Sequence, residues 1–240
     1  MPGLGTVINV AAIAAGGIAG LAFGKLLKED LRDGLTKACG VCVLFLGIAS
    51  AMEGMLSVGA DGTLTSGNSL LIIASIALGT LLGELLGIDA LITRFGEWLK
   101  AKTGNARDKN FVEGFVVTSI TVCVGAMAVM GAIEDGLFGD ISILQAKAIL
   151  DFIIVMVLAC SLGKGCAFSA IPVGIFQGSI TALAAFIKPL MTAAALANLS
   201  LVGSILIFCV GVNLVWGNKV RVANMLPAVL IAPALAFLPL

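Results

Sequence analysis

The residue best suited to chemistry in this chain lies inside an apolar stretch. Asp151 stands about six residues into a hydrophobic span, which puts its carboxylate about 9 Å of helical rise from the outer end of that span. Ionisable groups at such a depth are costly and often mark the path of an ion or a substrate. Because a carboxylate there can bind a cation or carry a proton, we interpret Asp151 as a candidate ion-binding residue.

Lys147 lies one helical turn before Asp151 and offers a second interpretation of the same carboxylate. Residues four apart on a helix face the same side and can form an ion pair. In this alternative the lysine reaches outward toward water and neutralises the acid. The two interpretations are compatible, and the spacing leaves both open.

A helix that crosses the membrane needs an unbroken run of residues, because it rises only about 1.5 Å per residue. The run that contains Asp151 is interrupted about twelve residues after it. Gly163, Lys164 and Gly165 break the apolar pattern, and Ser169 and Pro172 are typical of a new helix start. Irregular backbone within a membrane is tolerated where it lines a cavity, and the amides of a helix start can hold an anion beside a lysine. A tight cytoplasmic hairpin is the alternative for this broken-helix region near 161–172.

Neutral polar side chains inside the spans are the further candidate ligands. They are Asn9, Ser161, Ser169, Gln177 and Asn213. An amide left unpaired in an apolar environment is costly, so each side chain needs a partner. That partner is either a transported solute or a neighbouring helix.

Three acidic residues lie between the fourth and fifth spans. Glu134, Asp135 and Asp140 predict an acidic outer vestibule that concentrates cations, with a solvated loop as the alternative.

The composition identifies the class of protein. The 240 residues are 60% hydrophobic and 12% charged, with a mean hydropathy of +1.14, so we predict an integral membrane protein. Lys plus Arg and Asp plus Glu both total 14, which argues against a nucleic-acid partner. Histidine and tyrosine are absent, so the usual general base and the commonest zinc ligand are missing. We expect no enzymatic activity, no metal and no cofactor.

A helical bundle follows from the lengths of the apolar stretches. A bilayer core needs about 20 apolar helical residues. Eight stretches come near that length: 4–24, 38–57, 69–88, 112–133, 145–163, 169–187, 198–216 and 222–240. We predict an all-α polytopic membrane protein whose residues 1–240 form one domain, with seven spans and a re-entrant 164–178 as the alternative.

The basic residues predict the orientation. Lys and Arg concentrate after the first and third spans, and Lys219 and Arg221 follow the seventh. Because positive residues favour the cytoplasmic side, both termini are predicted outside.

Glycines recur with matching spacing in the first and third spans. Residues 11–24 and 74–87 share six identities, which suggests an internal repeat with units 4–57 and 69–133 and a remainder 145–240. The aligned glycines are Gly16, Gly20 and Gly24 in the first copy and Gly79, Gly83 and Gly87 in the second. Glycines four apart form a ridge for close helix packing, so we expect these two ridges to form the central contact, with a glycine-lined pore as the alternative.

Four stretches of the sequence carry a family resemblance. They are GTVINVAAI at 5–13, CVGAMAVMGAIEDG at 123–136, SAIPVGIFQGS at 169–179 and VRVANMLPAVLIAP at 220–233. Together they resemble the YdfK and YqgA family of bacterial inner-membrane proteins, domain of unknown function 554. The resemblance implies a multi-pass protein of the bacterial cytoplasmic membrane, and it brings no substrate and no catalytic residue with it.

The residues therefore favour a transporter or channel for a small solute or ion, coupled to a cation or proton through Asp151. The competing class is a scaffold or accessory subunit whose polar groups satisfy one another. The expected partners are the lipid bilayer, a small solute or ion, and a second copy of the chain in a homo-oligomer.

Overall fold

The computed structural model describes residues 2–24, 26, 28–59, 61–123 and 126–237. Within them the α-helices are α1 (Leu4–Gly24), α2 (Glu29–Met55), α3 (Ser69–Leu86), α4 (Ile88–Lys102), α5 (Phe111–Cys123), α6 (Ala126–Phe138), α7 (Ser142–Leu162), α8 (Ala170–Ala182), α9 (Ala184–Ile187), α10 (Ala193–Trp216), α11 (Val222–Met225) and α12 (Ala228–Leu235). Two 3-10 helices span Lys164–Ser169 and Lys188–Leu190. Strands β1 (Leu56–Val58) and β2 (Leu64–Ser66) pair antiparallel in the loop after α2. The predicted all-α polytopic fold is confirmed.

Six segments within the described residues are long and apolar enough to cross a membrane, and a bent helix pair brings the number to seven. The bent pair joins α5 to α6 at 63°, where the sequence predicts one straight span over 112–133. The predicted eighth span is wrong as a single long helix. Residues 222–235 form two short helices separated at Pro227, whose ring removes a backbone donor, and residues 238–240 lie outside the described residues.

The predicted break after Gly163 is present. Gly163 has φ 85° and ψ −153°, a conformation that glycine adopts far more readily than other residues, and the 3-10 helix Lys164–Ser169 follows it. Helix α8 then begins at Ala170. The segment 164–182 is one of the six membrane-spanning candidates, so the break joins two spans.

The elements form two compact units. The first comprises the described residues of Met1–Cys39, Ala90–Cys123 and Met127–Pro189, and the second those of Gly40–Asp89, Val124–Ala126 and Leu190–Leu240.

In the first unit, α1 and α7 lie side by side and parallel. A Cβ added at Gly16 would lie 2.5 Å from the carbonyl oxygen of Phe152, and one at Gly24 would lie 2.8 Å from that of Cys160. Gly20, between them, lies against the carbonyl of Met156. The glycine ridge of α1 thus fits against carbonyls spaced four residues apart on α7, so the helix backbones approach more closely than any side chain would allow.

In the second unit, the glycines of α3 face the C-terminal helices. A Cβ at Gly79 would meet the backbone of Ala228 in α12, and Gly83 lies against the carbonyl of Asn224 in α11. Gly87 differs from the expected packing role: it ends α3 in a left-handed conformation with φ 63°, and a Cβ there would meet no atom within 4 Å. Each ridge therefore has its own partner within its own unit, and the expected contact of ridge with ridge is not how these glycines are used. The partner of the first ridge, α7, has 21 residues, whereas α11 and α12 have 4 and 8, and the internal repeat stays a prediction.

Candidate functional site

Three helices of the first unit bury a stripe of side chains with helical spacing. The buried residues of α7 are Leu144, Lys147, Ala148, Asp151, Val155, Leu158, Ala159 and Leu162, and those of α8 are Ala170, Val173, Gln177 and Ile180. Along α1, the stripe includes Asn9 between Thr6 and Ile13. Steps of three and four residues keep one face of a helix inward, so these polar side chains are carried into the interior by the same spacing that buries the apolar ones.

Four of these side chains form a hydrogen-bonded group, which we call the polar cluster: Asn9, Lys147, Asp151 and Gln177. The Nζ of Lys147 donates to both carboxylate oxygens of Asp151, at 2.8 and 2.7 Å. The Nδ2 of Asn9 donates to Asp151 Oδ2 at 3.0 Å and to Gln177 Oε1 at 3.2 Å. The cluster therefore joins α1, α7 and α8 through side chains far apart in the sequence.

Lys147 is buried, contrary to the expectation that it reaches outward. It retains 8% of its exposure and Asp151 retains 3%, while Asn9 and Gln177 are fully buried. The exposed face of α7 carries Ile149 and Ile153, side chains suited to lipid. Lysine and aspartate together carry no net charge, which is the arrangement that lowers the cost of placing each in an apolar interior.

Two atoms of the polar cluster lack partners. Asn9 Oδ1 and Gln177 Nε2 are buried and make no hydrogen bond with any residue that the structure describes. One atom is an acceptor and the other a donor. Native proteins satisfy most buried polar atoms, so an unpaired acceptor and an unpaired donor on two hydrogen-bonded side chains are unusual.

A second polar contact lies one helical turn from the cluster. The hydroxyls of Thr6 and Thr181 are 3.4 Å apart, between the same helices α1 and α8 that bring Asn9 to Gln177. Both hydroxyls can donate and accept, so they continue the line of polar groups toward the N-terminus of α1.

Asp135 is the residue whose position the sequence does not predict. It is fully buried, and its carboxylate accepts from the backbone amides of Gly3 at 3.0 Å, Gly5 at 3.0 Å and Thr6 at 3.4 Å. The first amides of a helix have no partner within the helix, and they favour a negative charge. The expected acidic vestibule is thus wrong for Asp135, which anchors the start of α1.

Asp140, by contrast, is exposed, as a vestibule or a solvated loop requires. Its carboxylate accepts from the hydroxyl of Ser142 at 2.6 Å and from the amide of Ser142 at 2.9 Å. These bonds stabilise the ionised form and lower the pKa of Asp140 below the ordinary aspartate value.

Ser161 lies with Lys164 at a recess of about 220 Å³ beside the break, lined also by Leu21, Asp108 and Asn110. The hydroxyl of Ser161 is buried without a partner among the described residues. The Nζ of Lys164 donates to Asn105 Oδ1 at 3.1 Å, so the lysine is held by the loop after α4.

The other residues around the break are used for packing. Ser169 does not cap a helix as expected: its hydroxyl donates to the carbonyl of Cys166 at 2.7 Å, because the chain already turns in the 3-10 helix that precedes it. A Cβ at Gly165 would collide with the carbonyl of Phe111, so this glycine permits close contact with α5. Pro172 is the third residue of α8, where its missing amide costs little.

Asn213 has a structural role in the second unit. Its Oδ1 accepts from the amides of Lys219 and Val220, both at 2.9 Å, and its Nδ2 donates to the carbonyl of Val220 at 2.7 Å. The side chain thereby holds the turn between α10 and α11, and both of its polar atoms bond to the backbone of that turn. The sequence interpretation of Asn213 as a binding residue does not match these contacts.

Comparison with known proteins finds relatives along almost the whole chain. A family model described as "Protein of unknown function (DUF554)" matches residues 4–237. The chain is 29% identical over 237 residues to "Uncharacterized protein YqgA" of Escherichia coli (strain K12), covering 97% of this chain and 96% of that protein. It is also 29% identical over 237 residues to "Uncharacterized membrane protein YdfK" of Bacillus subtilis (strain 168), covering 97% and 95%. No solved structure matches the chain significantly.

Proposed function

Because the chain belongs to the DUF554 family of unknown function, we propose its activity from the polar cluster itself: it is a membrane transporter or channel for a small solute or ion. In this proposal it is a multi-pass protein of the bacterial cytoplasmic membrane with both termini outside. It carries out no enzymatic reaction. Its partners are the bilayer, the solute and, in an oligomer, a second copy of the chain.

The observation that carries the proposal is the pair of unsatisfied atoms in the polar cluster. Leaving a buried donor or acceptor unpaired costs about 1–3 kcal/mol, and Asn9 Oδ1 and Gln177 Nε2 are two such atoms. Apolar side chains of similar size would avoid that cost if the three helices only had to pack. A solute that visits the cluster supplies the missing bonds and accounts for both atoms.

The ion pair supplies a means of coupling. The carboxylate of Asp151 is neutralised by Lys147 at 2.7 Å. A proton or a cation at Asp151 would take over that role and free the lysine, which would alter the bonds that Asp151 makes to Asn9. Transport coupled to a cation or proton would pass through this exchange.

A second function, that of a scaffold or accessory subunit, is favoured by a different observation. The backbone of α1 contacts the backbone of α7 at Gly16, Gly20 and Gly24. Asp151 forms an ion pair with Lys147. A protein that only assembles membrane complexes needs tight packing and a neutral interior of this kind.

Reconstitution into liposomes separates the two functions. Uptake of Na⁺, protons and small neutral solutes would be measured for the full chain and for Lys147→Met/Asp151→Asn, which removes both charges and leaves neither unpaired. Transport predicts uptake above that of protein-free liposomes, and coupling through the ion pair predicts loss of the ion dependence in the folded double variant. Absence of uptake for every solute would favour the scaffold.

A further inference from the structure

The two amides of the polar cluster meet through only one of their two possible hydrogen bonds. Two primary amides can bond reciprocally, each donating to the other. Here Asn9 Nδ2 donates to Gln177 Oε1 at 3.2 Å, and the return bond from Gln177 Nε2 to Asn9 Oδ1 is missing. The two unpaired atoms, Asn9 Oδ1 and Gln177 Nε2, therefore belong to neighbouring amides.

The carboxylate of Asp151 determines which atoms are free. An ionised carboxylate only accepts hydrogen bonds, so Asn9 must turn its Nδ2 toward Asp151 Oδ2. The same nitrogen donates to Gln177, which must in turn present its oxygen. These two bonds leave the acceptor Asn9 Oδ1 and the donor Gln177 Nε2 unpaired.

We infer that this position takes a small uncharged molecule that both donates and accepts a hydrogen bond, such as water, urea or a primary amide. A cation would face the Nε2 of Gln177 and the ammonium of Lys147, and an anion would face Asn9 Oδ1 and the carboxylate of Asp151. Lys147 Nζ lies 2.7 Å from Asp151 Oδ2 and neutralises the carboxylate. The position therefore offers no net charge to attract a cation or an anion. The inference rests on the proposed function, because it names the class of solute that is transported.

The hydroxyls of Thr6 and Thr181 extend the position toward the N-terminal end of α1. Thr6 precedes Asn9 by three residues, or about 4.5 Å of helical rise, a distance that one small molecule spans. These hydroxyls are 3.4 Å apart and can donate or accept. An uncharged molecule that both donates and accepts finds partners at the two amides and at the two hydroxyls. A hydroxyl carries no charge, so neither threonine neutralises an ion.

Isosteric probes test the class of solute on the unaltered protein. Uptake of radiolabelled urea, acetamide and guanidinium, together with osmotic water flow, would be measured in liposomes holding the full chain and in protein-free liposomes. Guanidinium has the planar shape of urea but carries a charge and cannot accept. We expect a neutral probe to enter at least about tenfold faster with the protein, and guanidinium to enter at the protein-free rate.

The variant Gln177→Met tests the position, and Gln145→Met is its control because Gln145 lies on an exposed face of α7. We expect the first to lower uptake of the neutral probe by about tenfold and the second to leave it unchanged. Neutral uptake that Gln177→Met leaves intact would overturn the assignment of this position.

The failures of the two proposals are distinguishable. Uptake of guanidinium or Na⁺ without any neutral probe would overturn the solute class and leave transport standing. If none of these probes enters but Na⁺ or protons do, the solute class is overturned and transport stands. If neither the probes nor Na⁺ and protons enter, both the inference and the proposed transport function are overturned.

Discussion

The ion pair of Lys147 and Asp151 is where residue chemistry has the largest consequence for stability. Both side chains are nearly buried, and the lysine donates to both carboxylate oxygens. Removing one partner of such a pair leaves a charge with no compensation in an apolar interior. The stability of the first unit therefore depends on the two residues together.

We predict a strong coupling between substitutions at these two positions. Asp151→Asn alone should lower the free energy of unfolding by about 3–5 kcal/mol, because it strands the charge of Lys147. Lys147→Met/Asp151→Asn should cost much less, because the remaining amide can still bond to Asn9 and no charge is unpaired. Unfolding in detergent, followed by circular dichroism, would be measured for the unaltered protein, Lys147→Met, Asp151→Asn and the double variant. Additive losses would show that the two side chains do not act as a pair.

At the scale of the element, the contact of α1 with α7 places Asn9 near Asp151. Its three glycines lie against three carbonyls of α7, so the distance between the helix axes is set by backbone atoms. Asn9 and Asp151 have short side chains, so they can bond only because α1 and α7 approach closely. A wider contact would pull Asn9 away from the carboxylate.

Gly20→Ala tests this contact. The new Cβ would meet the carbonyl of Met156 and lie 2.8 Å from Ala159 Cβ, so we expect a loss of about 1–3 kcal/mol from overpacking. Gly34→Ala is a matched control in α2, where a Cβ would meet no atom within 4 Å. That substitution should stabilise the helix by about 0.5–1 kcal/mol, because alanine loses less backbone entropy than glycine. Equal effects of the two changes in a thermal unfolding experiment would contradict the close contact.

At the scale of the whole molecule, the proposed orientation requires α1 and α7 to run in the same direction. Helix α1 runs parallel to α7, with Gly5 beside Leu144 and Gly24 beside Cys160. The basic residues likewise predict that the first and fifth spans run the same way, from outside to inside. In the second unit, Asn224 lies against Gly83 near the end of α3.

We predict that reporters fused to either terminus lie outside the cytoplasm. Alkaline phosphatase should be active, and green fluorescent protein dark, when attached at residue 2 or residue 237. The control is an insertion in the basic loop 103–109, which should give the opposite result because positive residues favour the cytoplasm. A fluorescent C-terminal fusion would mean seven crossings, with 222–235 failing to return across the membrane.

The local sequence determined much of the fold. Apolar runs locate α1, α3, α7 and α10 to within a few residues, because a helix must satisfy its own backbone in lipid. The break at Gly163 was also predictable, since glycine punctuates an otherwise apolar run. The bend between α5 and α6 was not, and neither were the two short C-terminal helices. Their apolar composition suits a straight span equally well.

The candidate site was predicted only in its parts. Asp151, Asn9 and Gln177 are identifiable as polar residues within apolar helices, and Lys147 as a neighbour at helical spacing. Their assembly, the anchoring of α1 by Asp135 and the use of Asn213 in a turn all depend on partners distant in the chain. Asn9 is separated by 142 residues from Asp151 and by 168 residues from Gln177. Hydropathy and charge act locally and so determine which segments enter the membrane, whereas helix packing, set here by glycine against carbonyl, decides which polar side chains meet.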